Sequence, residues 1–428
     1  MLRSAIAQVL VLGTLGACER PPLKPTWNRD IGPLVQAKCA GCHVAGGIGP
    51  FSLGSRADFM AVSESARLAI IQRRMPPWPA RKSCAEYSPD GTLSDDQVSM
   101  VDQWLDDGAM EGDPRDFKAL EGPQNALTRI DLSVPMMKPF TPTQSPDQYR
   151  CFVLDWPKTE TTYIAGYALA PGNAAMIHHA DIFFIDPLHA DQFRALDPTG
   201  AGYTCYTIPV LEGGWIGTFV PGNRGVDFPD GSGLKIDPGS KLFIQIHYNT
   251  TYTGPQPDLS TLNLRLESKV RRPGVVLAWA DLKWMDGAMD IPAYDPDAMH
   301  RYEEDPTLYI SAFNRLFVDG MPLKVWAGTL HMHQMGSKAT FEIVHRDGSH
   351  ECITDIPKWD FHWQLPYSLA APKTVSPGDK LAVECHWDNS QENQPIVNGV
   401  RRVPRELNWG ANTDDEMCIA GVYLTQGQ

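Results

Sequence analysis

The stretch Gly328-Thr329-Leu330-His331-Met332-His333-Gln334-Met335-Gly336 lies in β-rich sequence. In a strand the side chains at i and i+2 leave the same face, roughly 6 to 7 Å apart. The imidazoles of His331 and His333 can therefore converge on one metal ion. For an isolated pair of this spacing the alternative is two histidines on the polar face of a strand. Two nitrogens do not complete a metal site, so the remaining ligands must come from elsewhere in the chain.

Around that stretch, short alternating apolar runs recur between turn signals. One example is Asp347-Gly348 within the run from Phe341 to Ile353. This spacing argues for β-sandwiches over a parallel α/β sheet, and one large barrel is the competing arrangement. Pro238-Gly239-Ser240-Lys241-Leu242-Phe243-Ile244-Gln245-Ile246-His247 aligns in register with Pro377-Gly378-Asp379-Lys380-Leu381-Ala382-Val383-Glu384-Cys385-His386. A turn, a strand and a histidine repeated in this way predict two related sandwiches, although a Pro-Gly turn before a strand also arises by chance. With the boundary near Arg271-Arg272-Pro273, the expected domains are 125–270 and 271–428.

Further donors collect in these halves. His178 and His179 are adjacent, so an ideal strand would send them to opposite faces, and joint ligation needs a twisted backbone or different ring nitrogens. In the run from Lys241 to Tyr248, Leu242, Ile244 and Ile246 face one way. His247 faces the other, with Phe243 and Gln245, and is available to meet His178 and His179. Near the C-terminus, Asp414-Asp415-Glu416-Met417-Cys418 puts a thioether beside a cysteine before the last strand. Taken alone, such a methionine is more often core.

The length of 428 residues suggests about two or three domains. Hydrophobic residues at 43% can build real cores, and a net charge of -14 argues against a nucleic-acid partner. The chain opens Met1-Leu2-Arg3, continues with an apolar run from Ala5 to Leu15, and reaches Leu15-Gly16-Ala17-Cys18. This reads as an export signal too short to span a membrane. The cysteine after small residues resembles a bacterial lipobox, which implies residues 1–18 as a lipoprotein signal segment and lipid attachment to Cys18. A plain signal peptide with an incidental cysteine is the alternative. The expected location is the bacterial periplasm or cell envelope, membrane-anchored, where the nine cysteines meet oxidising conditions.

Residues 25–113 form a separate module. Cys39-Ala40-Gly41-Cys42-His43 places two thiols for thioether bonds to haem vinyl groups next to a histidine for the iron. A redox dithiol or half a zinc site are the alternatives. A helix from about Ser63 to Arg73 is stopped by the prolines of Arg74-Met75-Pro76-Pro77-Trp78-Pro79, which hold Met75 in a fixed loop as the expected distal ligand. Met60, Met100 and Met110 compete for that role. Ser94 is an N-cap with Gln97 at the capping-box position. Val98, Val101 and Leu105 make the buried stripe of that helix, and Gly108 ends it. This order, with Trp104 on the closing helix, resembles small class I c-type cytochromes. The resemblance implies a small all-α cytochrome c domain with one covalent haem c, and 114–124 follows as a linker.

His178-His179, then His247-Tyr248-Asn249, then His331-Met332-His333, then Asp415-Glu416-Met417-Cys418 resembles the copper type II monooxygenases, the family of peptidylglycine α-hydroxylating monooxygenase and dopamine β-monooxygenase. Trp359-Asp360-Phe361, Trp363-Gln364 and Asn408-Trp409-Gly410 extend the agreement over roughly the last three hundred residues. The resemblance implies two jelly-roll-like all-β sandwich domains with one copper each across a solvent-filled cleft. His178, His179 and His247 would hold the electron-transfer copper. His331, His333 and Met417 would hold the catalytic copper, where O2 is activated. His386 occupies the place of His247 in the repeat, but the family has no ligand there. The resemblance also implies disulfides Cys151–Cys205 and Cys385–Cys418, and leaves Cys84 and Cys352 open between pairing and remaining thiols.

The implied activity is hydroxylation of a C–H bond of an organic substrate with O2. Ascorbate, a periplasmic electron donor or the fused haem would supply electrons. A haem and copper electron-transfer lipoprotein without hydroxylase activity is the other class of reading. No motif in the chain identifies the substrate.

Overall fold

The computed structural model describes residues 24–118, 127–205, 209, 212–223, 225–251, 253–397, 399–410 and 412–426. Cys18 and most of the expected linker lie outside these residues.

Residues 24–118 are helical, with a turn Trp27–Ile31 running into Gly32–Lys38, then Arg56–Ala61, Ser63–Ile71 and Asp95–Asp106. Arg73, at φ 58°, turns the chain out of the third helix just before the prolines. The Asp95–Asp106 helix starts with a full capping box between Ser94 and Gln97. It buries Val101 and Trp104 fully, with Val98 and Leu105 at the margin of the same cluster. Trp27, Phe59 and Trp104 pack with ring centroids 5.6 to 6.0 Å apart at the centre of this module.

The rest is β-sandwich. A nine-stranded sheet runs Leu132–Pro135, Thr261–Glu267, Thr162–Ala170, Ser232–Ile236, Arg272–Trp279, Ile419–Gln426, Leu323–His331 and Tyr367–Val375, with Val226–Asp227 paired to Thr162–Ala170. A five-stranded sheet covers its first half: Tyr203–Thr204, Asp147–Asp155, Lys241–Asn249, Ile177–Ile185, Gly213–Phe219. A four-stranded sheet covers the second: Ala298–Glu304, Lys380–Trp387, Gly336–Val344, His350–Ile356. Each half has its own apolar core. The halves share the long sheet, because Arg272–Trp279 pairs in parallel with Ser232–Ile236 and antiparallel with Ile419–Gln426.

The repeated Pro-Gly turns lead into interior strands of the two covering sheets. Gly239 and Gly378 sit at φ +85° and +91°, a conformation open to glycine at little cost. On Lys241–Asn249, Leu242, Ile244 and Ile246 enter the main core, as their alternation requires. Phe243 on the opposite face is also buried, in a satellite cluster built on the Cys151–Cys205 disulfide and the helix Ala190–Leu196.

The helical module rests on both halves. Its loop after Met75 joins the second: Trp78 meets Tyr367 edge-on at 5.0 Å, and the amide of Arg81 donates to the Asp355 carbonyl. Cys84 is bonded to Cys352 of the strand His350–Ile356. On the other side, Gly41 lies against Gly222 of the first half.

Candidate metal centres

The first centre depends on a break in strand register. Ile177 pairs with Tyr248 but His179 pairs with His247, so His178 is the extra residue of a β-bulge. A bulge re-aims the side chain it carries, which removes the objection that neighbours on a strand face apart. The ligand nitrogens of His178, His179 and His247 all lie within 4.8 Å of one another. Nδ1 of His178 is 3.1 Å from Nδ1 of His179. His247 is held from outside: its Nε2 is 2.8 Å from Asp147 Oδ1, and Tyr149 stacks on its ring at 4.3 Å. With Nε2–H donating to Asp147, Nδ1 carries the lone pair, and that buried atom has no hydrogen-bond partner. Burial, reinforced by the neighbouring His247, pushes His178 down to about 3 and lowers His179 as well, so these two present neutral imidazoles, the form that binds metal.

The second centre sits where the strand Leu323–His331 ends. Leu330 and Met332 enter the core, so His331 and His333 face away from it, with ring centroids 5.1 Å apart. Nδ1 of His331 is hydrogen-bonded to Gln364 Oε1, and Nδ1 of His333 donates to the Asp415 carbonyl at 3.0 Å. Both bonds leave Nε2 to a metal. Burial pushes His331 down to about 3. His331 pairs with Ile419, the last pair of that register, so the segment leading into Ile419 arrives at the end of the histidine strand. Glu416 fixes the junction: its buried carboxyl accepts from the amides of His333 (2.8 Å) and Met335 (2.7 Å), from the Trp387 indole (2.9 Å) and from the amide of Met417. Burial pushes Glu416 up to about 7 against those donors. Cys385–Cys418 ties the same segment to the strand Lys380–Trp387.

Between the centres stands Phe361. Its ring centroid is 5.9 Å from that of His178 and 6.2 Å from that of His333. Trp359 of the same loop donates to the His333 carbonyl at 3.1 Å. His386 is bonded to Asp297 and Glu384, apart from both clusters.

In the helical module Cys39 and Cys42 are thiols, and burial pushes Cys39 up to about 12. His43 holds Nδ1 3.1 Å from the Phe51 carbonyl and stacks on the Phe51 ring, which leaves Nε2 to a ligand. Met75 is half-buried in its loop, Met60 and Met100 border the module's core, and Met110 is exposed. Reading the sequence alone missed Asp147 and Glu416 as residues that orient ligands. Asp147 lies a hundred residues from His247, and no local pattern announces that pairing.

Residues 313–425 match the family described as copper type II ascorbate-dependent monooxygenase, C-terminal domain. The chicken (Gallus gallus) DBH-like monooxygenase protein 1 is 24% identical over 51% of this chain and 33% of its own length. The human (Homo sapiens) DBH-like monooxygenase protein 1 is 23% identical over 58% of this chain and 39% of its own. Dog (Canis lupus familiaris) dopamine beta-hydroxylase is 20% identical over 60% of this chain and 39% of its own. The chain thus spans between 33% and 39% of the length of these curated relatives. These likenesses support the copper type II monooxygenase family. The three disulfides and the relatives point to an exported protein. Among the described residues no helix is long and apolar enough to cross a membrane.

Proposed function

We propose that this protein is a copper-dependent monooxygenase that hydroxylates a C–H bond of an organic substrate with O2. The observation that carries the reading is the pair of imidazole clusters, one from each half, with Phe361 packed against both. Both donor sets fit copper: three imidazoles with an orphaned buried nitrogen at the first, and two imidazoles at the second, where Glu416 ties the segment that carries Met417 to the His333 backbone. Copper, when bound, supplies one-electron redox chemistry, and a thioether ligand favours its Cu(I) state.

The chain's own residues do the positioning. Asp147 and Tyr149 fix the ring of His247, and Gln364 and the Asp415 carbonyl fix the tautomers of His331 and His333. Burial lowers His178, His179, His331 and His333 and keeps those rings unprotonated at neutral pH. In the overall reaction one oxygen atom enters the C–H bond and the other leaves as water, with two electrons and two protons consumed. In this reading Cys39, Cys42, His43 and Met75 would hold a haem c, and Cys18 would carry a lipid that tethers the protein to a membrane. The thiols of Cys39 and Cys42 and the oriented His43 ring suit the haem. Ascorbate, or a periplasmic one-electron donor acting through the haem, would supply the electrons.

The test is metal analysis of the purified protein followed by incubation with 18O2 and candidate organic fractions. Two coppers, one covalent haem and a singly 18O-labelled product are expected. Zinc in place of copper, or reducible coppers with no labelled product from any fraction, would overturn the monooxygenase reading.

A further inference from the structure

We propose that Gly41, Gly222 and Phe219 form the path along which an electron leaves the haem attached at Cys39 and Cys42 for the metal held by His178, His179 and His247. This rests on the reading above and specifies how the helical module serves it. At the contact, a Cβ placed on Gly41 would lie 3.2 Å from the Gly222 Cα, and one placed on Gly222 would lie 3.0 Å from Cys42 Sγ. Gly222 sits at φ +87°, so the position suits glycine on two counts: its backbone conformation and the close approach of the sulfur.

From there the route into the first centre is short. Gly222 is three residues beyond Phe219, the last residue of the strand Gly213–Phe219, and Phe219 pairs directly with Ala180, the neighbour of His179. Three residues span at most about 10 Å and paired strands lie about 5 Å apart, so the sulfur-to-ligand route is on the order of 15 Å. Beside it lies an open pocket of ≈ 300 Å³ lined by Val44, Ile48, Leu169, Pro171, Phe219 and Asn223. The module meets the second half through a different surface, the Trp78 and Tyr87 contacts with Tyr367, on the Met75 side of its fold. The CxxCH loop thus contacts the half of the molecule that carries the first centre.

The step transfers one electron. Fe(II) becomes Fe(III) as Cu(II) becomes Cu(I), with no bond made or broken, and a one-electron donor of the ascorbate class restores Fe(II). The test uses the full chain carrying haem and copper, under anaerobic conditions. Flash-reduced flavin places one electron on the haem, and the decay of the ferrous absorption band is followed together with loss of the Cu(II) paramagnetic signal. The Gly41→Leu variant is compared with the unsubstituted protein, and Gly222→Ala approaches the same contact from the other side should the first fail to fold.

The expected result is coupled decay in the unsubstituted protein. In Gly41→Leu transfer slows, because the added side chain wedges the loop away from Gly222 and lengthens the through-space gap. The haem midpoint potential and the copper spectrum stay unchanged. Unaltered transfer in both variants would overturn the path while leaving haem-fed reduction of copper intact. No transfer in the unsubstituted protein would overturn both.

Discussion

At the scale of single residues, Glu416 is the position whose loss reaches furthest. Its carboxyl gathers the amides of His333, Met335 and Met417 and the Trp387 indole in a buried site. Glu416→Gln leaves donors facing an amide nitrogen, and unsatisfied buried groups cost about 1 to 3 kcal/mol. We expect a lower denaturation midpoint and weaker Cu(I) affinity at the second centre, read by competition with a Cu(I) chelator, with the three-histidine centre unaffected. The histidines set a pH dependence. An unfolded histidine titrates near 6.5, whereas His178 and His331 are held at about 3 in the fold. Between those values the unfolded chain binds more protons, so the metal-free protein loses stability as pH falls from about 6.5 toward 3. Glu416, raised to about 7 from an ordinary 4.5, works in the opposite sense across that interval, since its contribution is lost as pH rises. His179 and His333 are also lowered, whereas Asp181, Asp186 and His362 are raised and act with Glu416, so the four lowered histidines, three of them shifted widely, stand against these groups. Melting of the metal-free protein at pH 5 should fall below that at pH 7, and His331→Asn should flatten the difference.

At the scale of elements, both centres depend on a shift in strand register. Without the bulge at His178, alternation would send one of the adjacent histidines to the wrong face. On the strand Leu323–His331, Leu323 and Val325 are core, yet so are Leu330 and Met332, because the register slips between Val325 and Ala327. That slip switches the parity and leaves His331 and His333 on the side away from the core. The alternating pattern was readable in each short run; the slip was not, since it is a property of the pairing with the neighbouring strands. Gly328 lies on the core side of the same strand, and a Cβ there would come within 2.8 Å of Ile353 and 2.9 Å of Thr354. Gly328→Val should therefore cost about 1 to 3 kcal/mol by overpacking and lower copper retention at the second centre, with the first still loaded. Denaturation and metal stoichiometry read the two effects.

At the scale of the whole molecule, the two sandwich halves share one sheet and the helical module bridges them. The Cys84–Cys352 bond closes the longest loop of the three disulfides, with a sequence separation of 268. Cross-links over such loops commonly contribute about 2 to 5 kcal/mol by restricting the unfolded chain. The Cys84→Ser, Cys352→Ser double variant should lower the melting temperature and speed proteolysis between the module and the second half. Unchanged melting and cleavage would mean that the noncovalent seam around Trp78, Tyr87 and Tyr367 holds the module by itself. Under the proposed haem assignment, Met75→Ala should open the iron to carbon monoxide, seen as a shift of the ferrous Soret band, while Met417→Ala should leave that band unchanged.

The sequence by itself determined the β character of the last three hundred residues, the capping box at Ser94 and the turn-strand-histidine repeat, because each is a local pattern of neighbours in the chain. The motifs that named the two histidine clusters are local in the same sense. Only the tertiary structure decided what those motifs connect to: Asp147 behind His247, Glu416 beneath His333, Phe361 between the clusters and Cys84 bonded to Cys352. Each of these contacts joins residues separated by dozens to hundreds of positions. Strand pairing and burial select such partners, and a single sequence contains no periodicity that encodes them.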